Sequence, residues 1–235
     1  MNNVASTEAA DIIKTKEMHA GECVLMFSGG RDSTLAAIKL HEINVRPVLV
    51  TVTSSHLFGY RAVEARLKEL KAILPNETIH IEVVQPRDLR TNQEFYHRTC
   101  LPCQHAYVVV AAIIAKYRGI NKVALGYAAY QGDWPEQTTL ATSSLKRVLA
   151  EFDLELLLPA YDFRNKDEVK TLLQGYSLST EALEQKCSRQ VNNVVLDSKH
   201  LAQQIEGWEG AIRQSLTQLS EITLEMRMPR FIGSY

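Results

Sequence analysis

The stretch Glu22-Cys-Val-Leu-Met-Phe-Ser-Gly-Gly-Arg-Asp-Ser-Thr34 decides the fold. Its apolar first half, Glu22–Phe27, is typical of a buried strand. Gly29 and Gly30 then permit a tight turn, and the pattern from Asp32 to Glu42 predicts a helix. A strand, a Gly-Gly turn and a helix in direct succession indicate the first unit of an α/β sheet, with the helix N-terminus at the carboxyl end of the strand.

The same alternation continues along the chain. Further strands are predicted at Arg46–Thr53, Thr78–Val84, Lys122–Gly126 and Leu154–Leu158, and further helices at Tyr60–Leu74, Cys103–Tyr117, Thr138–Glu151 and from Lys166 to Leu173. Strands that alternate with helices of this length indicate an α/β fold with a doubly wound, parallel, five-stranded sheet. Such sheets bind ligands at the carboxyl ends of their strands, near the switch in strand order.

Three segments are predicted: an N-terminal extension (1–20), an α/β domain (21–190) and a C-terminal helical segment (191–235). A helix is expected at Val194–Glu225, because apolar residues recur there at helical spacing: Leu201, Ile205, Trp208, Ile212, Leu216 and Leu219. We expect this apolar face to pack on the α/β domain or on a second copy in a homodimer.

Composition excludes several classes of protein. The 235 residues suffice for a full core, and 26 basic against 27 acidic residues argue against binding dominated by phosphate neutralisation. The longest apolar run, Ala106–Ala115, is too short to span a bilayer, and the first residues lack the pattern of a secretory signal. A cytoplasmic protein without a membrane partner is expected, with its four cysteines as thiols or metal ligands.

The Gly-Gly turn has the features of an anion cradle. Backbone amides and the positive end of the helix dipole face the same space, and Ser28, Ser33 and Thr34 add hydroxyl donors. The Lys-Ser/Thr ending of the Walker loop is absent, so a standard P-loop ATPase is not indicated. The alternative is a plain turn whose following residues, Asp32 and Ser33, cap the helix.

The residues Ser28-Gly-Gly-Arg-Asp-Ser33 resemble the Ser-Gly-Gly-X-Asp-Ser loop of the PP-loop ATP pyrophosphatases, which have the HUP-like, adenine nucleotide α-hydrolase-like fold. The resemblance implies that residues 21–190 bind ATP with Mg²⁺, split it to AMP and pyrophosphate, and adenylate an oxygen of an acceptor. It implies a phosphate site formed by Ser28, Gly29, Gly30, Arg31, Asp32, Ser33 and Thr34. It places Thr53, Ser54 and Gly126 near adenine and ribose.

A second resemblance concerns the acceptor. The stretch Ala124-Leu-Gly-Tyr-Ala-Ala-Tyr-Gln-Gly-Asp-Trp-Pro-Glu-Gln-Thr138 and the later segment Pro159–Val169 resemble 7-cyano-7-deazaguanine synthases of queuosine biosynthesis. Those ligases activate a deazaguanine carboxylate with ATP and convert it to a nitrile. The resemblance implies a substrate site of Tyr127, Asp133, Trp134 and Lys166. Only Cys187 stands in the region where that family has a cluster of zinc cysteines.

A third resemblance starts from the cysteines. Cys100-Leu-Pro-Cys103, together with Cys187, is similar to the pattern of cluster-dependent tRNA thiolation enzymes of the same superfamily. It implies that Cys100, Cys103 and Cys187 hold a [4Fe–4S] cluster with one open iron, since three thiolates leave one site of a cubane unligated. Zinc, with water or His105 as fourth ligand, fits the same trio.

Charge favours one acceptor class over another. A tRNA enzyme needs a basic surface, whereas this chain has a formal net charge of −1 and no evident nucleic-acid-binding module. A small, deazapurine-like molecule or a protein acceptor is therefore favoured over tRNA. A non-catalytic nucleotide-binding subunit is the third hypothesis, because a phosphate loop alone does not distinguish binding from turnover.

Overall fold

The computed structural model describes residues 21–86, 89, 99–189 and 194–235; the predicted extension, 1–20, lies outside the described residues. The strands are β1 (Glu22–Met26), β2 (Arg46–Thr53), β3 (Leu57–Phe58), β4 (Ile79–Val84), β5 (Lys122–Leu125), β6 (Glu155–Leu157), β7 (Lys186–Cys187), β8 (Glu225–Met226) and β9 (Arg230–Phe231). The helices are α1 (Arg31–Glu42), α2 (Tyr60–Leu70), α3 (Leu101–Arg118), α4 (Thr139–Ala150), α5 (Lys166–Gly175) and α6 (Ser198–Thr217).

The predicted five-stranded parallel sheet is confirmed. The order β6-β5-β1-β2-β4 runs across it, and each neighbouring pair in this order is parallel. These are the five predicted strands, each within one residue of its expected ends. The order reverses at β1, because the chain first adds β2 and β4 on one side and later β5 and β6 on the other. The crevice expected to bind ligands therefore lies at the carboxyl ends of β1 and β5.

Helices cover both faces of the sheet. One core contains Leu35 and Ile38 of α1, Leu67 of α2 and Leu173 of α5. The other contains the apolar face of α3, with α4 and α6 packed beside it. Among the described residues, no helix is both long and apolar enough to cross a membrane.

The C-terminal segment is only partly the helix that we expected. Helix α6 begins after Asp197, whose carboxylate accepts hydrogen bonds from the amides of Lys199 and His200. It ends at Thr217 rather than near Glu225, and strands β8 and β9 follow, both antiparallel to β4. The physical reason is that β4 would otherwise be an open edge of the sheet, with unpaired amides and carbonyls.

Candidate functional site

A cavity of about 460 Å³ opens at the predicted crevice. Its floor is made by the carboxyl ends of β1, β2 and β5. One part of its wall is the phosphate loop, Ser28–Ser33, and another is the turn that follows β5. Most of the predicted phosphate residues and part of the predicted acceptor residues therefore border one space.

The phosphate loop has a backbone path that requires glycine. Gly29 has a φ of +81°, and a Cβ there would lie 2.2 Å from the carbonyl oxygen of Leu183. The Ser28 hydroxyl accepts a hydrogen bond from the amide of Gly30 (3.1 Å) and lies 3.1 Å from the Ser33 hydroxyl. The two serines thus stabilise the turn from within and border the cavity.

Gly126 makes the second close approach. A Cβ at this position would lie 2.6 Å from the Cα of Ser33. The end of β5 is therefore packed directly against the phosphate loop. Any side chain at residue 126 would push the loop away from β5.

Four of the predicted nucleotide residues lie outside the cavity lining: Gly29, Thr34, Thr53 and Ser54. The Thr34 hydroxyl donates to the carbonyl oxygen of Gly30 (2.6 Å) and is buried in α1. The Thr53 hydroxyl donates to the carbonyl oxygen of Val83, and the Ser54 hydroxyl lies 2.7 Å from Nδ1 of His56. Their hydroxyls are engaged elsewhere, and Thr51 and Val52 border the cavity at the end of β2 instead.

Arg31 is held at the cavity wall by a segment that sequence reasoning missed. Its Nε donates to the carbonyl oxygen of Thr180 (2.6 Å). The fully buried guanidinium of Arg66 donates to the carbonyl oxygens of Ser179 (3.0 Å) and Glu181 (2.7 Å). Two arginines thus fasten residues 179–181 beside the phosphate loop.

Two carboxylates border the cavity at the phosphate loop. Asp32 borders the cavity, and burial raises its pKa, while hydrogen bonds from Tyr130 and Gln131 oppose that shift. The carboxylate of Glu184 borders the cavity near Gly30, where a Cβ would lie 2.4 Å from Glu184 Oε2. Burial raises the pKa of Glu184 also. Mg²⁺ is commonly held by one or two carboxylates plus substrate phosphates, so Asp32 and Glu184 fit a Mg²⁺ site beside the phosphates.

The acceptor half of the cavity is aromatic and rich in carboxamides. Of the predicted substrate residues, Tyr127, Trp134 and Lys166 border the cavity, and the Tyr127 hydroxyl donates to Oε1 of Gln104 (2.9 Å). Asp133 is exposed and lies outside the cavity lining. The turn instead directs the amides of Gln131 and Gln137 inward. Both amides flank Trp134 in the quoted stretch, and this pairing was the signal in the sequence that could have found them.

The structure does not gather the three cysteines into a metal site. The Cys103 sulfur lies 3.5 Å from Nε2 of His56, whereas the Cys187 sulfur accepts from the amide of Arg189. Across the described parts of the chain, no group of three or more Cys, His, Asp or Glu side chains could hold a metal ion. The predicted trio therefore does not fit zinc or a cluster in this structure. His105, the alternative fourth ligand, is buried with its Nε2 2.9 Å from the Ser215 hydroxyl.

Comparisons with solved structures establish the fold. A 4-thiouridine synthetase, solved with RNA and bound ATP, matches 88% of this chain at 16% identity with a TM-score of 0.62, and the chain spans 55% of that protein's length. An NMN synthetase from Francisella tularensis matches 94% at 12% identity with a TM-score of 0.52, over 96% of its own length. The U34-tRNA thiolase NcsA from Methanococcus maripaludis, solved with its [4Fe-4S] cluster, matches 93% at 13% identity with a TM-score of 0.51, over 80% of its length.

The mixed α/β fold with a mostly parallel central sheet is shared with these three proteins. This confirms the fold class that the alternation of strands and helices predicted. No protein-family model matches the chain, and no curated protein matches it either. At these identities the likeness concerns the fold, so the chemistry of the site has to be argued from its own residues.

Proposed function

We propose that the protein is an ATP pyrophosphatase of the PP-loop type that transfers AMP to an oxygen of a small, planar, nitrogen-containing heterocycle, as in a 7-cyano-7-deazaguanine-synthase-like ligase. One observation carries the proposal: the phosphate loop and a pocket of aromatic and carboxamide side chains border the same cavity. ATP at the loop and an acceptor at the pocket would therefore meet inside one space.

The phosphate half supplies the leaving-group site. The amides of the loop and the dipole of α1 favour the β- and γ-phosphates, with the Arg31 guanidinium and the Ser28 and Ser33 hydroxyls as further donors. Asp32 and Glu184 would hold Mg²⁺, which neutralises phosphate charge when bound. Attack by the acceptor oxygen on the α-phosphorus forms one P–O bond and breaks the bond to the bridging oxygen, and pyrophosphate leaves with that electron pair.

The acceptor half supplies recognition of a heterocycle. Tyr107, Tyr127 and Trp134 would supply aromatic surface, and Gln104 would supply a carboxamide at the cavity wall. A carboxamide both donates and accepts, which suits the edge of a purine-like ring. Lys166, exposed at the cavity wall, would attract the carboxylate that is to be adenylated.

Acceptor-dependent release of pyrophosphate tests the proposal. We expect 7-carboxy-7-deazaguanine to stimulate pyrophosphate release from ATP by the wild-type protein. Stacking of a base on an aromatic side chain contributes about 1–3 kcal/mol, so Trp134→Ala should raise the acceptor KM roughly 5- to 150-fold and leave ATP binding nearly intact. Tyr117→Ala, which removes an exposed aromatic ring from α3, is the control. Stimulation by tRNA but not by the deazaguanine would contradict the proposal.

Thiolation of a nucleobase is the second candidate, although the three cysteines do not form a metal site in this structure. Cys100 and Cys103 lie at the start of α3, one turn before Tyr107 of the cavity. Cys187 on β7 pairs with Leu57 of β3, and Leu57 also borders the cavity. Each cysteine is therefore close, along the chain or across a strand pair, to a residue that borders the cavity, and this is the observation behind the second candidate. The test is to measure iron and sulfide in anaerobically purified protein and pyrophosphate release with tRNA. Iron and sulfide near zero, without stimulation by tRNA, would exclude cluster-dependent thiolation.

A further inference from the structure

We propose that Tyr130 and Gln131 are positioning residues that orient the Asp32 carboxylate toward bound nucleotide, and that Gln137 joins this contact to the acceptor pocket. The inference rests on the proposed function to the extent that Asp32 serves the phosphate site. It concerns a hydrogen-bonded chain that links the two halves of the cavity.

Both oxygens of Asp32 are held by the turn after β5. The Tyr130 hydroxyl donates to the carboxylate, at 2.8 Å from Oδ1 and 2.9 Å from Oδ2. Nε2 of Gln131 donates to Oδ2 (2.7 Å) and also to the Tyr130 oxygen (3.1 Å). Hydrogen bonds to a carboxylate are stronger than those between neutral groups. The rotamer of Asp32 is therefore fixed by residues nearly one hundred positions away in the sequence.

The chain continues in one direction toward the acceptor pocket. Oε1 of Gln131 accepts from Nε2 of Gln137 (3.0 Å), and Oε1 of Gln137 accepts from the amide of Ala128 (2.9 Å). The amide of Ala128 can only donate and a carboxylate only accepts. The orientation of both carboxamides is thereby determined. Exchanging the oxygen and nitrogen of either one would place donor against donor at one end of the side-chain amide and acceptor against acceptor at the other.

The two ends of this chain serve different ligands. Asp32 belongs to the phosphate loop, whereas Gln137 borders the cavity three residues after Trp134 and directly before the N-cap of α4. Its backbone carbonyl also accepts from the Tyr161 hydroxyl (2.8 Å), which fixes the turn. A displacement of the acceptor pocket would therefore be transmitted to the carboxylate at the phosphates.

Binding of a fluorescent ATP analogue, measured against Mg²⁺ concentration and without acceptor, tests the inference. Gln131→Met keeps the length of the side chain and removes its polar atoms, and Tyr130→Phe removes one hydroxyl. Mutation of a residue that orients a metal ligand typically lowers the metal affinity by about 10- to 100-fold. We expect half-maximal binding of the ATP analogue to need at least about 10-fold more Mg²⁺ in Gln131→Met than in the wild type. The affinity for the analogue without Mg²⁺ should stay within about twofold of the wild-type value.

A double-mutant cycle tests the role of Gln137 separately. Because Gln137 contacts Asp32 only through Gln131, Gln137→Met alone should also raise the Mg²⁺ requirement, and the Gln131→Met, Gln137→Met double variant should need no more Mg²⁺ than Gln131→Met alone. A wild-type Mg²⁺ requirement in Gln137→Met would overturn the coupling. Gln174→Met and Tyr117→Phe, both on exposed helix faces, are the matched controls and should behave as wild type. Additive losses in the cycle would overturn the coupling to Gln137.

The outcomes separate this inference from the proposed function. If the wild type does not bind ATP, the proposed function is contradicted. If it binds ATP and both Gln131→Met and Tyr130→Phe keep the wild-type Mg²⁺ dependence, the positioning role is overturned. Should thermal unfolding show that Gln131→Met does not fold, Tyr130→Phe decides, because it removes one oxygen atom only.

Discussion

Residue 126 shows how closely the backbone elements of the site approach one another. A Cβ there would lie 2.6 Å from Cα of Ser33, a backbone atom that cannot rotate away. The close contact between β5 and the phosphate loop therefore depends on the missing side chain. The path of the loop at Gly29 also depends on a missing side chain, because the positive φ and the nearby carbonyl oxygen of Leu183 both disfavour a Cβ there.

Gly126→Ala is expected to weaken ATP binding and stability together. Inserting a methyl group into a packed contact costs about 1–3 kcal/mol, and here the displaced element is the phosphate loop. We expect at least about 10-fold weaker nucleotide binding, measured by titration calorimetry. Gly210→Ala on α6, where a Cβ meets nothing within 4 Å, is the control. Wild-type ATP affinity in Gly126→Ala would show that the loop does not contact the nucleotide.

Glu136 gives a prediction about pH. Burial raises its pKa from 4.5 to about 7, and its Oε2 has no hydrogen-bond partner among the described residues. A carboxyl whose pKa is higher in the folded state stabilises the fold fully below pH 4.5, and that contribution is lost as pH rises through 7. Glu136→Gln should therefore gain stability relative to wild type at alkaline pH.

Urea unfolding of Glu136→Gln and wild type at about pH 5 and about pH 8 measures this. The free energy of unfolding of Glu136→Gln, relative to that of the wild type, should rise by up to about 3 kcal/mol between the lower and the higher pH. Nucleotide binding by Glu136→Gln serves as the check that the variant folds. A difference that does not change with pH would mean that Glu136 is ionised normally in the fold.

Site residues were predictable where a local motif carried them. The phosphate loop has its motif in six consecutive residues, and the structure places Ser28, Asp32 and Ser33 around one cavity. Glu184 and Gln131 belong to the same cavity, but the contacts that bring them there span long stretches of chain. Thr53 lies at the predicted end of its strand and Ser54 follows it, but their hydroxyls bond to Val83 and His56, contacts that no local motif announces.

At the scale of elements, prediction followed the strength of the hydrophobic pattern. Strands β1 and β2 are buried along almost their whole length, so their apolar runs defined them to within one residue. Strands β8 and β9 have two residues each and exposed side chains. No periodicity exists in two residues. They are strands only because the edge of β4 pairs with them.

Helix α6 provides a test at this scale. Trp208 is fully buried in the core shared with α3 and α4, together with Ile205 and Ile212. Removal of a buried aromatic side chain typically costs about 3–5 kcal/mol, and we expect Trp208→Ala to lose this much in urea unfolding. Tyr117→Ala, at an exposed aromatic position on α3, should lose little. A loss below about 1 kcal/mol in Trp208→Ala would show that α6 is not part of the cooperative core.

At the scale of the whole molecule, one histidine of the sheet and one of a covering helix are buried: His80 on β4 and His105 on α3. His80 on β4 lies between the hydroxyls of Thr51 (2.9 Å) and Tyr235 (2.6 Å). Because the Thr51 hydroxyl donates to the carbonyl of Phe27, it accepts from Nε2 of His80, and Nδ1 accepts from Tyr235. Burial lowers the pKa of His80 to about 3 and that of His105 to about 4.

Stability should therefore fall on the acidic side. Both folded-state pKa values lie below the ordinary 6.5, so the contribution of each neutral histidine is present above pH 6.5 and is lost as pH falls toward 4 and 3. The slope of the free energy of unfolding between about pH 5 and about pH 6.5 should be smaller in His105→Gln than in wild type. Equal slopes in the two proteins would contradict burial of a neutral His105.

The identity of the phosphorus products tests the central claim most directly. Wild-type protein is incubated with ATP, Mg²⁺ and 7-carboxy-7-deazaguanine or tRNA, and the products are resolved by phosphorus NMR. If the acceptor attacks the α-phosphorus and Ser28–Ser33 hold the leaving group, the products are pyrophosphate and either AMP or an adenylate of the acceptor. None of these products should form with Asp32→Ala. ADP and orthophosphate as the main products would contradict the account.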